Sequence, residues 1–294
     1  MDFKVKRGYL NSPIFTEDQA SYIVEQYLNN KDVSLLSLSK EFEVSPQMIK
    51  KLLISKDIEL KTLRQYQLIY NLNENFFDEI NNEEKAYWLG FLYADGVINE
   101  DENLVRINLK SEDREHLEKF KLSVGSTHPV KDTVKKSDGK NYYGVYVGFK
   151  SSHMVKMLVS KGCYQRKSLS LMFPSFHIVP KHLAHHFIRG YFDGDGCISY
   201  TTKNTEHSNR RLYKISILGT ENVVDNIKEL LGSTAKTYKY TNKCEISMGG
   251  NQQCIKIYEY LYKDATIYLQ RKHNKFQEML SYVENNPYIP WNKK

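Results

Sequence analysis

Two nine-residue stretches hold the side chains best placed for chemistry. Trp88 to Gly96 reads WLGFLYADG, Ile188 to Gly196 reads IRGYFDGDG, and their last acids, Asp95 and Asp195, stand 100 residues apart. A spacing of that size marks a domain-sized internal repeat. Each stretch reads as the last turns of a helix, so its aspartate lies at the negative end of the macrodipole, where a carboxylate is disfavoured by about 0.3–1 kcal/mol. If the two ends meet, the carboxylates also repel each other. A divalent cation relieves both penalties, and hard carboxylate oxygens suit Mg2+ (or Mn2+).

The elements that must position these acids are the two helices themselves. Gly90 with Ala94, and Gly190 with Gly194, recur four residues apart. That spacing puts them on one helical face, where small residues let two backbones approach. Leu89, Phe91, Leu92, Ile188, Tyr191 and Phe192 beside them supply the apolar surface that drives such packing in water. Gly96 and Gly196 are expected to close the helices in the left-handed conformation. Taken singly, each Asp-Gly is also an ordinary helix-ending turn; two copies with matching small-residue spacing favour the paired reading.

WLGFLYADG and IRGYFDGDG resemble the two signature helices of single-chain LAGLIDADG homing endonucleases, over roughly residues 83 to 280. The resemblance implies that the helices form the interface between pseudo-symmetric halves. It also implies that the acids at the eighth motif position, Asp95 and Asp195, bind the catalytic metals. Position six differs between the copies, Tyr93 against Asp193, so no shared role is carried over to Asp193. The family sets a basic residue, often lysine, near each scissile phosphate. The matching segments are GCYQRKSL and IYLQRKHNKF, where Lys167 and Lys272 follow a Gln-Arg pair. These lysines are assigned to water activation or transition-state charge, with Arg166 and Arg271 as alternatives; the plainer readings are backbone-phosphate contacts or surface charge. The resemblance further implies cleavage across the minor groove with short 3′ overhangs, and homing of a mobile intron or free-standing gene.

Composition is compatible with this reading. The 294 residues, 40% of them hydrophobic, suffice for packed cores in two domains. Lys and Arg number 42 against 35 Asp and Glu, a net charge of +7, and there are 22 Tyr, a modest excess that permits a polyanionic partner. No apolar run reaches the roughly 18 residues of a membrane span, and MDFKVKRGYL has no apolar core of a signal peptide. Cys163, Cys197, Cys244 and Cys254 lack metal-binding or disulfide spacing, which favours a reducing compartment, bacterial, phage-infected or organellar, over a secreted one. His182, His185 and His186 have helical spacing without a partnering acid or Cys and are expected to pack or to contact solvent. No Gly-rich phosphate loop or Ser-His-Asp arrangement stands out.

Along the chain, residues 1–65 read as a small all-α domain. Thr16 to Tyr27 forms one helix, Leu35 to Phe42 a second, and a third opens with Ser45 as cap and Pro46 at its first position. That helix buries Ile49, Leu52 and Leu53 and leaves Gln47, Lys50 and Lys51 outward, as the reading helix of a helix-turn-helix would. An ordinary three-helix protein-contact domain is the alternative. Residues 66–82 read as a linker, and the phosphate-following candidates Lys61 and Arg64 lie just before it. The first repeat spans 83–178 and the second 179–294, each an α+β unit of the pattern αββαββα, the two sheets forming one DNA-binding saddle.

In the first repeat Leu104, Val105 and Leu109 are expected on one side of a strand and Arg106, Asn108 and Lys110 on the other. Ser111 is expected to cap the next helix, and a polar loop to lead into the strand through Tyr143. In the second, Lys214 and Ser216 face outward and the polar insert Thr201 to Arg211 offers Lys203, Arg210 and Arg211 to phosphates. Arg and Lys suit guanine and Asn suits adenine in a major groove wide enough for a β-ribbon. The expected activity is therefore site-specific cleavage of double-stranded DNA at a long recognition site by a monomeric, Mg2+-dependent endonuclease. The rivals are a DNA-binding regulator without catalysis and an intron RNA maturase on the same fold.

Overall fold

Short polar side chains mark most of the helix starts in the computed structural model, which describes residues 15–30, 33–61, 70–205 and 208–287. The chain divides into two compact units, Met1–Asn71 and Leu72–Lys294.

In the smaller unit α1 (Glu17–Asn29) opens on a capping box between Thr16 and Gln19, and α2 (Leu35–Glu41) on one between Ser34 and Ser37. Each box satisfies two backbone donors that a helix start leaves open. α3 (Pro46–Ser55) begins at Pro46, but Ser45 makes no side-chain cap; the fixed proline φ sets the first turn without it. Ile23, Tyr27, Leu38, Phe42, Ile49 and Leu53 form the core, while Leu52 only packs against its edge. Gln47, Lys50 and Lys51 are exposed as expected. Lys61 is not an outward contact: its Nζ donates to Asn30 O at 2.9 Å and Val33 O at 3.2 Å and lies 4.6 Å from the Tyr27 ring centre. Arg64 lies outside the described residues.

The larger unit contains the two copies. The first runs α4 (Glu83–Asp95), β1 (Gly96–Asn99), β2 (Leu104–Lys110), α5 (Arg114–Ser123), β3 (Lys131–Ser137), β4 (Lys140–Lys150) and α6 (Ser152–Ser160). The second runs α7 (Ala184–Asp195), β5 (Gly196–Thr205), β6 (Ser208–Gly219), α8 (Glu221–Leu230), β7 (Thr237–Lys239), β8 (Cys244–Gly249) and α9 (Asn251–Tyr262), and adds α10 (Gln270–Asn285). Each copy carries a four-stranded antiparallel sheet, ordered β1-β2-β4-β3 and β5-β6-β8-β7. The fold is thus α+β with two αββαββα copies. One apolar core runs through both, from Phe77 and Trp88 to Ile246 and Phe276.

The paired helices are the centre of that core. Every residue of α4 from Ala86 to Tyr93 is buried, the pattern of a helix enclosed on all sides. A Cβ on Gly90 would lie 2.0 Å from Phe187 O, one on Gly190 1.9 Å from Tyr87 O, and one on Gly194 2.3 Å from Ala94 Cβ. The small positions therefore set the distance between α4 and α7.

Several expectations are corrected. Gly96 and Gly196 are extended, with φ of −73° and −85°; glycine is required there because a Cβ would strike Leu92 O at 2.5 Å or the Phe192 ring at 2.0 Å. Leu104 shares the open face of β2 with Arg106, while Val105 and Ile107 are buried, as strict alternation demands. Ser111–Asp113 is a 3-10 turn without a side-chain cap, and α5 starts after it. The polar stretch before Tyr143 holds β3, a wholly exposed strand invisible to hydrophobic periodicity. Of the supposed linker 66–82, residues 66–69 lie outside the described part, and Phe76, Phe77 and Ile80 are core residues of the larger unit. The Thr201–Arg211 insert is a long hairpin, paired from Thr201↔Leu212 to Thr205↔Ser208.

Candidate active site at the paired helix ends

Asp95 is the last residue of α4 and Asp195 the last of α7. The Asp95 carboxyl reaches across the interface, its Oδ2 3.4 Å from where a Gly194 Cβ would stand. Burial pushes the Asp95 carboxyl up to about 6, the charge of Asp195 adds to this, and Lys272, Lys167 and Arg271 oppose it. Asp195 keeps an exposed edge, yet crowding by protein lifts its carboxyl too, opposed first by Lys243 and then by Lys272 and Lys167.

The two lysines sit where the helices run out of backbone donors. Lys167 is buried in a 3-10 turn, Lys167–Leu169, and donates to Gly96 O. Lys272 is buried in the first turn of α10; its Nζ donates to Phe192 O at 2.5 Å and Gly194 O at 3.1 Å and lies 5.1 Å from the Phe192 ring centre. Each ammonium lies at the negative end of a helix dipole, and Lys272 shares Phe192 O with the Gly196 N–H. Burial lowers the Lys272 amine to about 8. The loop holding Lys167 is pinned by Gln165 and Glu100, which exchange backbone-to-side-chain bonds of 3.2 and 3.3 Å. The four residues expected to act together are therefore brought together. Of the alternatives, Arg166 is exposed at φ 58°, and Arg271 is committed to Asp113 at 3.0 Å and Glu112 at 3.6 Å.

A cleft of about 390 Å³ joins Asp95 to the open face of the first sheet, lined by Asn108, Lys110, Thr133, Lys135 and Tyr142. Arg106, on the same face, lies 5.7 Å from the Tyr146 ring centre. In the second sheet Lys214 is exposed and Ser216 half-buried, on the face opposite buried Ile215 and Ile217. Lys203 is exposed and pairs in the ladder with Arg210, which donates to Pro287 O at 3.0 Å. Arg211 is a correction. It points to the other side of β6, bonds Glu278 at 2.9 Å, and lies 4.5 and 5.2 Å from the Tyr200 and Tyr282 rings, so it fastens α10 to the sheet.

Residue types and spacing concealed two groups. Asp193 is buried and accepts bonds from Tyr87 Oη at 2.7 Å, Tyr262 Oη at 2.6 Å and Leu269 N at 2.7 Å. Fully buried Arg189 donates to Leu261 O, Ile267 O and, at 2.6 Å, Glu83. Together they tie α4 and α7 to the start of α10. An Arg and an Asp four apart inside an apolar helix was the signal available. Lys243, in the β7–β8 turn, lines a 110 Å³ pocket with Asp195, Tyr191 and Thr220; a lone lysine in a polar turn carried no sequence signal. His186 bonds Arg189 at 2.9 Å and His185 is half-buried, while His182 is exposed. Among the described residues no three His, Cys, Asp or Glu side chains gather as a metal site, and no helix is long and apolar enough to cross a membrane.

The chain is thus a two-copy α+β protein whose copies share one acidic, lysine-flanked centre at their common helix pair. No family model and no curated protein matches it. Among solved structures it is similar to the LAGLIDADG meganuclease I-AabMI bound to uncleaved DNA, at 14% identity over 70% of this chain and 91% of that one, with a TM-score of 0.47. It is also similar to the homing endonuclease I-WcaI bound to its DNA recognition sequence, at 11% identity over 68% and 90%, TM-score 0.49. A third is the LAGLIDADG homing endonuclease I-GzeII in complex with its DNA target, at 12% identity over 72% and 94%, TM-score 0.48.

Proposed function

We propose that this chain is a site-specific endonuclease of the LAGLIDADG type that hydrolyses both strands of duplex DNA with a divalent metal. The observation that carries the reading is the convergence of Asp95 and Asp195 with the buried lysines Lys167 and Lys272, beside a cleft opening onto a basic sheet face.

The donor set fits Mg2+ or Mn2+. Two crowded carboxyls, each raised above its ordinary range by burial, gain from a cation at neutral pH. Mg2+ commonly takes one or two protein carboxylates and completes its shell with water and substrate phosphate oxygens, so a cluster of three protein ligands is not required. Asp95 and Asp195 would hold the metal, which supplies charge neutralisation at the phosphate and a lowered pKa for bound water.

The remaining work belongs to the chain's own side chains. Lys272, lowered to about 8, is partly neutral near pH 7 and accepts a proton from the attacking water in its half. Lys167 holds a positive charge at the corresponding place in the other half. Arg106, Asn108 and Lys110, with Lys214 and Ser216, read the two half-sites from the sheet faces, and Lys203 and Arg210 extend the backbone contacts. In the smaller unit Gln47, Lys50 and Lys51 of α3 lengthen the footprint in the manner of a helix-turn-helix. The two copies, 83–178 and 179–294, take one half-site each, so a single chain acts as a monomer.

Cleavage of a randomised duplex library, with and without Mg2+, tests the reading alongside Asp95→Asn. Metal-dependent cuts at one long site, lost in the variant while binding persists, are the expected result. Selective binding without cuts under any divalent metal overturns it and favours a regulator; preference for structured RNA over duplex favours a maturase.

A further inference from the structure

Strand register makes the two halves comparable position by position. Gly96 pairs with Ile107, and Gly196 with Ile217, so Leu109 in the first half corresponds to Gly219 in the second. Their partners on the next strand are Val145 and Cys244. Gly144 and Lys243 therefore occupy the same place. Each faces its own acid: Gly144 lines the cleft that holds Asp95, and Lys243 lines the pocket that holds Asp195.

The halves build that place differently. The β3–β4 ladder continues past Thr133↔Gly144 to Ser137↔Lys140. A Cβ on Gly144 would stand 2.9 Å from Leu109 O and 3.2 Å from Thr133 Cγ2, so that position takes no side chain unless the backbone moves. The β7–β8 ladder stops at Lys239↔Cys244. Lys243 lies in the turn beyond it, where Tyr240 N donates to Lys243 O at 2.8 Å. Its side chain is exposed, and its ammonium has no hydrogen bond or ion pair among the described residues. A mobile, hydrated ammonium on a four-carbon stem is suited to meeting a phosphate as a point charge.

We propose that Lys243 is a further catalytic residue that contacts the scissile phosphate on the Asp195 side and has no counterpart at the matching position, Gly144, on the Asp95 side, so the two strands are cut at unequal rates. The inference rests on the nuclease reading, and its consequences are separable from it. The empty place at Gly144 leaves the Asp95 side with the wider cleft, about 390 Å³ against 110 Å³, whose cations come from other positions: Lys110, Lys135 and Arg271, the last committed to Asp113 and Glu112.

The test is single-turnover cleavage of a duplex carrying a different label on each strand, with wild type, Lys243→Gln and Lys243→Arg. The wild type is expected to pass through a nicked intermediate cut in one strand. Lys243→Gln should slow one strand by about 100- to 1000-fold, the scale of losing one transition-state donor, with the other strand and duplex affinity nearly unchanged. Lys243→Arg keeps the charge and should restore most of the lost rate to that strand. Equal slowing of both strands, or no slowing of either, overturns the assignment while the endonuclease reading stands. A wild type that cuts neither strand overturns both.

Discussion

An amine lowered to about 8 is a base for part of its population at neutral pH, and that share grows as pH rises. Burial is the main cause, and Asp193 opposes it. Deprotonation of Lys272 is the step that makes it able to accept a proton, so strand cleavage in its half should rise about tenfold per pH unit below 8 and level off above. Rates from pH 6 to 9.5 under saturating metal check this, and a profile flat across pH 8 would remove Lys272 from proton transfer. Lys272→Arg keeps the charge at all these values and should lose the rise along with most of the activity. At this scale the sequence was legible where chemistry repeats: Asp95, Asp195, Lys167 and Lys272 were all singled out, and all meet. Asp193 was noted without a role, and Lys243 carried no signal. The first is defined by three donors from distant segments, the second by a ladder that stops early, and neither kind of fact is carried by residue type or local spacing.

Helices and strands differ in how much of their placement is local. The spacing of Gly90, Ala94, Gly190 and Gly194 was enough to foresee the helix pair. With a Cβ on Gly190 only 1.9 Å from Tyr87 O, Gly190→Ala should destabilise the larger unit by about 3 kcal/mol, the upper end of the usual cost of overpacking. Urea unfolding checks the value; a loss below 1 kcal/mol would mean that the helices can separate to admit a methyl group. β3 escaped detection because all its residues are exposed, and Arg211 was misread because β6 alternates its side chains between two faces. Arg211→Ala should therefore lower the melting temperature with little effect on duplex affinity, whereas Lys214→Ala should weaken affinity and leave melting unchanged. Equal loss of affinity in both variants would return Arg211 to the DNA face.

The whole molecule carries a net charge of +7, and Lys110, Lys203 and Lys214 are exposed on its sheets. Duplex binding should weaken with a slope of about −5 in log K against log salt, the value for roughly six neutralised phosphates. A titration between 50 and 300 mM salt measures it, and a slope near zero would contradict binding by the sheet faces. The copies also extend in different ways. The first lengthens its β3–β4 ladder, the second its β5–β6 ladder, which pairs from Gly196↔Ile217 to Thr205↔Ser208 against four pairs in β1–β2. Two half-sites read by unequal ribbons need not be palindromic, and a target recognised by this chain should be asymmetric.

The mutual burial of α4 and α7 has a consequence for how the chain is made. α4 is enclosed on all sides in the finished fold, yet its partner is encoded 100 residues downstream. At about 5–20 residues per second a ribosome needs on the order of 5–20 s to supply it. For that interval the apolar run from Ala86 to Tyr93 has nothing to pack against except the first copy, so the nascent chain at this stage is a natural client for a holding chaperone. Synonymous codons that slow translation between the two motifs would lengthen the exposure and lower the yield of folded protein without altering a single residue.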